Sequence, residues 1–285
     1  MRNRLSSLIP VAALLSVIVF GPAHSQPSDA MKACLGRGGV TFDQRTAACS
    51  SIIEAGTESN ENLALAYGNR GHVRVFRKEV EAARKDFEES IRRDPSSASA
   101  HRFRGNLFLL DTDERKASEA YRKAIEIDPK LGPAYASLGA MAARRGAAST
   151  AIEFLDKSIE FEPDDLTTYL MRGHARIQTE EYDQAIADFT AAVKGPPPPE
   201  RAEALFGRGG AFAHKGEHQK ALADFDEGLG LKADRGEAFA IRCVIRAALG
   251  QAFDAVMTDC DTALTLPSNG VAVPEFPGLC LPQAR

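Results

Sequence analysis

Arginine and aspartate recur along the chain at spacings that would allow either ion pairing or the binding of an acidic ligand. Five arginines stand at matching places of a repeated pattern: Arg70, Arg104, Arg172, Arg208 and Arg242. Sixteen residues after three of them stand Asp86, Asp188 and Asp224. At one intervening place the arginine is replaced by Leu138 and the aspartate by Phe154. Because the two places change character together, we predict ion pairs between them, with a row of ligand-binding arginines as the alternative.

The sequence contains no pattern typical of a metal site, a phosphate-binding loop or a catalytic nucleophile. His72 and His174 lie far apart, and a turn at Gly216 separates His214 from His218. These spacings do not match those of known metal-ligand motifs. The glycine-rich runs at 36–39 and 207–210 lack a phosphate-loop lysine, and no serine elbow occurs. We therefore predict no catalytic site, no metal and no cofactor, and a protein that is not an enzyme.

The charge balance of the chain weighs against nucleic acid as a partner. The 285 residues carry a formal net charge of −4, and the 26% that are charged divide almost equally between the two signs. Nucleic-acid binding generally needs a clustered basic face. The predicted partner is therefore a protein or peptide, and the sequence leaves the oligomeric state open.

The first 25 residues have the pattern of a secretory signal. Arg2 and Arg4 precede a mostly apolar run from Leu8 to Phe20, and small residues follow before Gln26. The run is shorter than the roughly 20 residues that span a bilayer. We predict a signal peptide at 1–25, cut near Ser25–Gln26, and export to a bacterial periplasm, with an uncleaved anchor as the alternative. No later segment is apolar enough to predict an integral membrane protein.

Small residues recur through the middle of the chain with a period of 34, interrupted by a two-residue insertion near 200. The alanine series is Ala83, Ala117, Ala151, Ala185, Ala221 and Ala255, and the glycine series is Gly71, Gly105, Gly139, Gly173 and Gly209. A unit of this length cannot bury its apolar face alone and must stack on a neighbour. Since glycine inside a helix costs about 1 kcal/mol, the glycine series predicts a close approach of two helices.

Each repeat has the pattern of two helices. In one of them Tyr182, Ala185, Ile186, Phe189 and Val193 recur at the three-and-four spacing of a helix face. We predict a degenerate first repeat or cap at 26–63, units 1–4 at 64–199, units 5–6 at 200–269 and an extended tail at 270–285. The proline run at 196–199 is interpreted as a rigid step between the two groups of units.

The 34-residue pattern resembles the tetratricopeptide repeat family over residues 64–269. Its small residues, the aromatic places of Phe87, Tyr121, Phe189 and Phe225, and the closing prolines at 95, 129, 163 and 197 carry the resemblance. The resemblance implies an all-α solenoid of stacked helix-turn-helix repeats, wound as a right-handed superhelix with a concave groove.

The same resemblance implies which residues line that groove. The candidate partner groove consists of Arg102, Asn106, Leu109, Leu110, Ala136, Ala140, Leu170, His174 and Ile177. Some family members clamp a carboxyl-terminal peptide with a basic residue and asparagines. Arg102 and Asn106 match the first two places of that clamp, whereas Ser137, Thr167 and Met171 do not match the others. An extended or helical partner segment is therefore the expected occupant.

The repeat register places four of the five cysteines in pairs. Cys34 and Cys49 fall on opposite helices of the degenerate first unit, and Cys243 and Cys260 fall on opposite helices of the last one. In an oxidising compartment such cysteines can pair, so Cys34–Cys49 and Cys243–Cys260 are candidate disulfides. Cys280 is then left odd or displaces one of them. Five buried free thiols are the alternative.

These observations favour a non-catalytic protein–protein interaction scaffold or adaptor of the cell envelope, with a partner segment held in the concave groove. Two alternatives stay open. One is an accessory component of envelope or exopolysaccharide assembly machinery. The other, from a different class, is an enzyme or small-ligand carrier built on a repeat scaffold.

Overall fold

The computed structural model describes residues 28–37, 39–194 and 200–266, and these residues form fourteen α-helices and no strand. The helices are α1 Asp29–Cys34, α2 Phe42–Ala55, α3 Asn60–Phe76, α4 Val80–Arg93, α5 Ala98–Leu110, α6 Glu114–Ile127, α7 Gly132–Arg144, α8 Ala148–Phe161, α9 Leu166–Gln178, α10 Tyr182–Val193, α11 Glu200–His214, α12 His218–Leu231, α13 Gly236–Ala248 and α14 Phe253–Thr265. The predicted signal peptide, proline run and tail beyond residue 266 lie outside the described residues.

The helices pack in chain order as hairpins, each against the hairpin before and after it. Buried apolar residues gather in separate clusters between neighbouring helices. An array that stacks in one dimension has this division, because each unit packs mainly against its neighbours. One ion pair joins distant units: Arg37, after α1, lies 3.1 Å from Glu162 at the end of α8. The predicted all-α solenoid of stacked repeats is thus confirmed. Helices α10 and α11 remain in contact on either side of 195–199, so the stacking continues past the proline run.

In the turn of each repeated hairpin, one residue adopts the left-handed backbone conformation, with positive φ, and the chain reverses direction there. Glycine supplies it at Gly146, Gly216 and Gly250, with φ of 73°, 75° and 65°. Lys78, Thr112 and Glu180 adopt φ of 61°, 60° and 63° at the corresponding places. Residues other than glycine are energetically disfavoured in this conformation, and the packing of the flanking helices offsets that cost.

Glycine and an aromatic or leucine side chain form the seam inside each repeat. An added Cβ would lie 2.5 Å from the ring of Tyr121 at Gly105, 2.7 Å from Leu155 at Gly139 and 2.8 Å from Phe189 at Gly173. These distances are too short for a Cβ atom, so only glycine fits at these three positions without a shift of its neighbours. The alanines at 83, 117, 151, 185 and 221 are fully buried beside this seam.

The last hairpin departs from the sequence register by one residue. Ala255 is half-buried, whereas Val256 is 6% exposed and takes the buried place that Ala221 holds one repeat earlier. The cause is one additional residue between the ion-paired arginine and aspartate of this hairpin, which rotates α14 by one position. The alanine series therefore ends at Ala221 in the structure, and Val256 replaces Ala255 as its last member.

Candidate functional site

The first helices of the hairpins lie closer together than the second helices do. Contacts join α1 to α3, α3 to α5, α7 to α9, α9 to α11 and α11 to α13, and within the described ranges no comparable contacts join successive second helices. In a curved stack the more closely spaced row is the inner one. The first helices therefore form the inner face. All nine predicted groove residues lie on three of them: α5, α7 and α9.

The recurring arginines are held by buried aspartates. Arg70 binds Asp86 through two hydrogen bonds of 2.8 and 3.0 Å, and Arg172 binds Asp188 at 2.6 and 2.9 Å. Arg208 binds Asp224 at 2.7 and 2.8 Å. Arg242 makes the same forked contact with Asp259, at 2.6 and 2.7 Å. Four of the five recurring arginines thus serve ion pairs inside the repeats and are not free cations for an acidic ligand. The fifth, Arg104, has Ala120 at the aspartate place, and among the described residues no carboxylate lies within 4.0 Å of it.

The sequence interpretation missed a second arginine in three of these pairs. Arg74 donates to Asp86 at 2.8 Å, Arg176 to Asp188 at 2.7 Å, and Arg246 lies 3.2 Å from Asp259. Each stands four residues after the first arginine, on the same helix face. That i, i+4 spacing was the signal from which they could have been found.

Arg102 and Asn106 are more deeply buried than the groove prediction assumed. They are 5% and 8% exposed, and both lie on α5. Tyr121 donates a hydrogen bond of 2.7 Å to Asn106 Oδ1, and the Arg102 guanidinium lies 4.1 Å from the centre of the Phe103 ring. Arg102 Nε and Asn106 Nδ2 are buried without a hydrogen-bond partner in the part of the chain that the structure describes. Two polar side chains on the inner face thus keep unused donors.

Burial and neighbouring charges shift the pKa values of Arg102 and of Tyr121 beside it. Burial lowers the pKa of Arg102 to about 10, against the raising effect of Tyr121, and Arg45 lowers it further. Burial also raises the pKa of Tyr121 to about 12. Both groups keep their usual neutral-pH forms, a cation and a neutral phenol. The guanidinium therefore remains charged although no carboxylate lies within 4.0 Å of it in the described chain.

Two further polar groups, Arg45 and His72, interact electrostatically with Arg102, and the sequence interpretation singled out neither for the groove. Arg45 on α2 donates from Nη2 to Asn69 Oδ1 on α3 at 2.8 Å. His72 lies one turn further along α3. Desolvation by the surrounding protein, together with the positive charges of Arg45 and Arg102, lowers the pKa of His72 to about 3. No periodic motif contains Arg45, because it stands where the other repeats have alanine.

The remaining predicted groove residues are accessible at least in part. Half-buried side chains on the three helices are Leu109, Leu110, Ala136, Ala140, Leu170 and Ile177. His174 is exposed, and its ring packs edge-on against Phe189 with the centres 5.0 Å apart. Desolvation by the surrounding protein lowers its pKa. The inner face thus offers small apolar surface with polar points.

Both predicted cysteine pairs are joined in the structure. The Cα atoms of Cys34 and Cys49 lie 4.7 Å apart, and those of Cys243 and Cys260 lie 5.4 Å apart, within the usual range for a disulfide. Cys280 lies outside the described residues. Over the described ranges, no group of three or more His, Cys, Asp or Glu side chains could hold a metal ion. None of the helices just described is long and apolar enough to cross a membrane.

Stacked helical hairpins, a glycine–aromatic seam and an inner face of first helices define a helical-repeat scaffold. A tetratricopeptide repeat profile matches residues 69–132 and 170–238. The chain belongs to the tetratricopeptide repeat family.

Two plant proteins show the sequence similarity. The chain is 25% identical over 153 residues to Hsp70-Hsp90 organizing protein 3 of Arabidopsis thaliana, a match covering 54% of this chain and 27% of that protein. It is 29% identical over 119 residues to Hsp70-Hsp90 organizing protein of Triticum aestivum, covering 42% of this chain and 20% of that protein. The chain therefore spans about a quarter or less of the length of these relatives.

Solved structures show the same fold. The APC/C hetero-tetramer Cut9-Hcn1 has a TM-score of 0.60 at 18% identity, covering 78% of this chain and 45% of that one. PilF of Pseudomonas aeruginosa has a TM-score of 0.58 at 16% identity, covering 70% of this chain and 90% of that one. At this level of identity the likeness concerns the fold alone.

Proposed function

We propose that the protein is a scaffold that holds a segment of a partner protein against the inner face formed by α5, α7 and α9. Tetratricopeptide repeats typically act as non-catalytic scaffolds for protein partners, and the chain has their fold. The proposed contact residues are Arg102 and Asn106 for polar groups, Leu109, Leu170 and Ile177 for apolar groups, and His174 at the accessible edge.

The observation that carries this proposal is the pair of unused donors on the inner face. A buried polar group without a partner costs about 1–3 kcal/mol, so native proteins rarely leave one unsatisfied. Of the seven buried side-chain atoms in this state among the described residues, Arg102 Nε and Asn106 Nδ2 lie together on α5. Both atoms are closed to solvent, so their side chains would turn outward to meet the oxygen atoms of a bound segment, which would recover that energy. Half-buried apolar side chains beside them would supply the rest of the contact.

The proposed compartment is the bacterial periplasm, reached through the signal predicted at 1–25. Two disulfides are compatible with an oxidising compartment, where such bonds persist. Cell fractionation together with amino-terminal sequencing of the mature protein tests this part. A mature chain beginning at Gln26 in the periplasmic fraction is expected, and a cytoplasmic protein that still begins at Met1 would contradict it.

The experiment for the binding face uses site-specific photo-crosslinking in the native compartment. A photoreactive residue at His174 should crosslink to a partner, whereas one at Lys157 on the exposed side of α8 should not. The partner identified in this way is then purified and titrated calorimetrically. Replacing His174→Glu should weaken binding at least tenfold, and Lys157→Glu should leave it unchanged. Equal crosslinking from both positions, or a dissociation constant that is insensitive to His174→Glu, would reject the inner face.

A further inference from the structure

The ion pair between Arg37 and Glu162 connects two residues that lie 125 positions apart in the chain. Nη2 of Arg37 lies 3.1 Å from each carboxylate oxygen of Glu162. Arg37 follows α1 and Glu162 follows α8, so the chain between them forms α2 to α8. In a curved stack, units this far apart approach each other only across the concave side. The pair therefore spans the inner face of α3, α5 and α7.

The turn after α1 holds Arg37 rigidly on the first hairpin. The main-chain N–H of Arg37 donates to the oxygen of Lys32 at 2.9 Å, and Gly36 adopts φ of 80° just before it. A bond of this kind, with glycine in the left-handed conformation, closes many helix ends. The Cys34–Cys49 disulfide then joins α1 to α2. Movement of Arg37 therefore requires movement of the whole hairpin.

The acidic partner has a longer reach than its counterparts in the two preceding repeats. The residue before the closing proline is Asp94, Asp128 and then Glu162 in successive units, so only the last of these carries the additional methylene group. Gly132 on α7 leaves room for this side chain, because an added Cβ would lie 2.7 Å from Glu162 Cγ. The main-chain N–H of Glu162 donates to the oxygen of Ser158 at 2.8 Å. Both ends of the contact are thus fixed by their local structure.

A second acid adds attraction between the same two parts of the chain. Asp165 begins α9 three residues after Glu162, and its carboxylate accepts hydrogen bonds from the first turn of that helix. Burial lowers the pKa of Arg45 on α2, and attraction by Asp165 opposes that shift. The first hairpin thus carries two arginines, Arg37 and Arg45, that are attracted to the turn between α8 and α9. Of the two, Arg37 makes the direct contact.

We propose that the Arg37–Glu162 pair is a tie across the inner face that favours a closed groove, and that a partner segment reaches α5 and α7 when this tie parts. The inference rests on the proposed function. Within the span of the tie, Arg102 and Asn106 on α5 are only 5% and 8% exposed. Beyond it, His174 on α9 is exposed. A segment that binds only the open groove shifts the population toward that state.

The tie is weak enough to open. The side chains of Arg37 and Glu162 keep 46% and 29% of their surface exposed. An ion pair in such contact with water shifts an equilibrium by no more than about fivefold, and added salt screens it. Widening of the groove also breaks no single interface, because a repeat array spreads its bending over many contacts between neighbours. The pair therefore biases the closed state without locking it.

The experiment measures the width of the groove in the full chain by double electron–electron resonance. Spin labels are attached through azide-bearing residues at Ala30 on α1 and Glu153 on α8, two exposed positions that leave the cysteines untouched. Arg37→Glu should increase the fraction of long distances by up to about fivefold, because it replaces attraction by repulsion. The charge exchange Arg37→Glu, Glu162→Arg should restore the wild-type distribution. Circular dichroism confirms that both variants keep their helical content.

A matched control breaks an ion pair that lies within one helix. Arg115 contacts Glu119 on α6, and both side chains are well exposed. Arg115→Glu should leave the distance distribution unchanged. Raising the salt concentration should widen the wild-type groove and have little effect on the Arg37→Glu protein. Unchanged distances in Arg37→Glu, or a widening that the charge exchange does not reverse, would overturn the tie.

A binding measurement tests whether the tie controls entry. The probe is the partner identified by crosslinking from position 174. Arg37→Glu should tighten its binding two- to fivefold, because a larger fraction of the protein is then open, and the charge exchange should return it to the wild-type value. A wider groove with unchanged affinity would overturn control of entry.

Failure of this inference is distinguishable from failure of the proposed function. If the label distances respond to Arg37→Glu but partner binding is insensitive to His174→Glu, the tie stands and the proposed binding face is wrong. If His174→Glu weakens binding while Arg37→Glu changes neither the distances nor the affinity, the binding face stands and the tie is wrong.

Discussion

Cys243 and Cys260 hold in the last hairpin the two places that Gly209 and Phe225 hold in the hairpin before it. Cys243 stands one residue after Arg242 and Cys260 one residue after Asp259, just as Gly209 and Phe225 follow the paired Arg208 and Asp224. Elsewhere the seam is closed by packing an aromatic ring onto a glycine. In the last hairpin a covalent bond closes the same seam. The cross-link thus stands at the end of the described array, where stabilisation from a following repeat is not seen.

Removing the Cys243–Cys260 bond should loosen the last hairpin alone. The chain-entropy effect of closing a loop of 17 residues is about 3 kcal/mol. In a linear array this loss should appear locally, because each unit contacts only its neighbours. Amide hydrogen exchange of Cys243→Ala, Cys260→Ala should therefore accelerate in α13 and α14 and stay unchanged in α5 and α6. A Cys243→Gly, Cys260→Phe protein should recover part of the protection. Uniform acceleration along the whole chain would contradict this account.

Breaking one buried ion pair should cost far more than breaking an exposed one. Asp188 accepts from both Arg172 and Arg176, and its side chain is 3% exposed. Asp188→Ala leaves two guanidinium groups without this partner, which should lower the unfolding free energy by about 3 kcal/mol. Glu160→Gln, which breaks the exposed contact with Lys157, should cause no measurable change. Chemical denaturation of both variants compares the two. Equal, small effects would show that the buried forks do not stabilise the repeats.

Two glycines of α11 should respond with opposite sign to the same substitution. A Cβ at Gly207 would lie 2.4 Å from the ring of Phe189, whereas a Cβ at Gly210 meets nothing within 4 Å. Gly207→Ala should therefore destabilise by about 1–3 kcal/mol through overpacking. Gly210→Ala should stabilise by about 0.5–1 kcal/mol, because alanine loses less entropy in a helix. Thermal and urea unfolding measure both. Stabilisation by Gly207→Ala would show that the contact between α10 and α11 has spare room.

His72 should make the protein less stable in acid. Its pKa falls from 6.5 to about 3 in the folded chain, so the unfolded chain binds a proton at higher pH than the folded one does. The free energy of unfolding that the neutral His72 ring contributes is fully present above pH 6.5, and it is lost as the pH falls from about 6.5 toward 3. The ring should remain neutral in NMR spectra at pH 5. His72→Gln should flatten the acid side of the stability profile. A His72 ring that titrates near pH 6.5 would contradict the conclusion that burial and neighbouring positive charges lower its pKa.

Much of the fold could be predicted from the sequence because it depends on short-range periodicity. The forks at Arg70, Arg172 and Arg208 followed from covariation of two places in the repeat, since both residues of a pair lie in one hairpin. The register of the last hairpin did not follow, because one added residue at its turn is invisible to a fixed period. Only the buried state of Val256 and the pairing of Asp259 reveal it.

The candidate site was predictable only in outline. A periodic argument could place Arg102 and Asn106 on a first helix, but their burial depends on Phe103, Tyr121 and neighbouring hairpins. The contact of Arg45 with Asn69 was beyond that argument, because Arg45 stands where the pattern of the repeat has alanine.

By itself, the sequence determined the helical hairpin, its period and the pairs inside it, because those interactions join residues less than one repeat apart. Tertiary structure decided which arginines bind a carboxylate and how deeply Arg102 is buried. That outcome depends on how separate hairpins come together, as where Arg45 meets Asn69 across two of them.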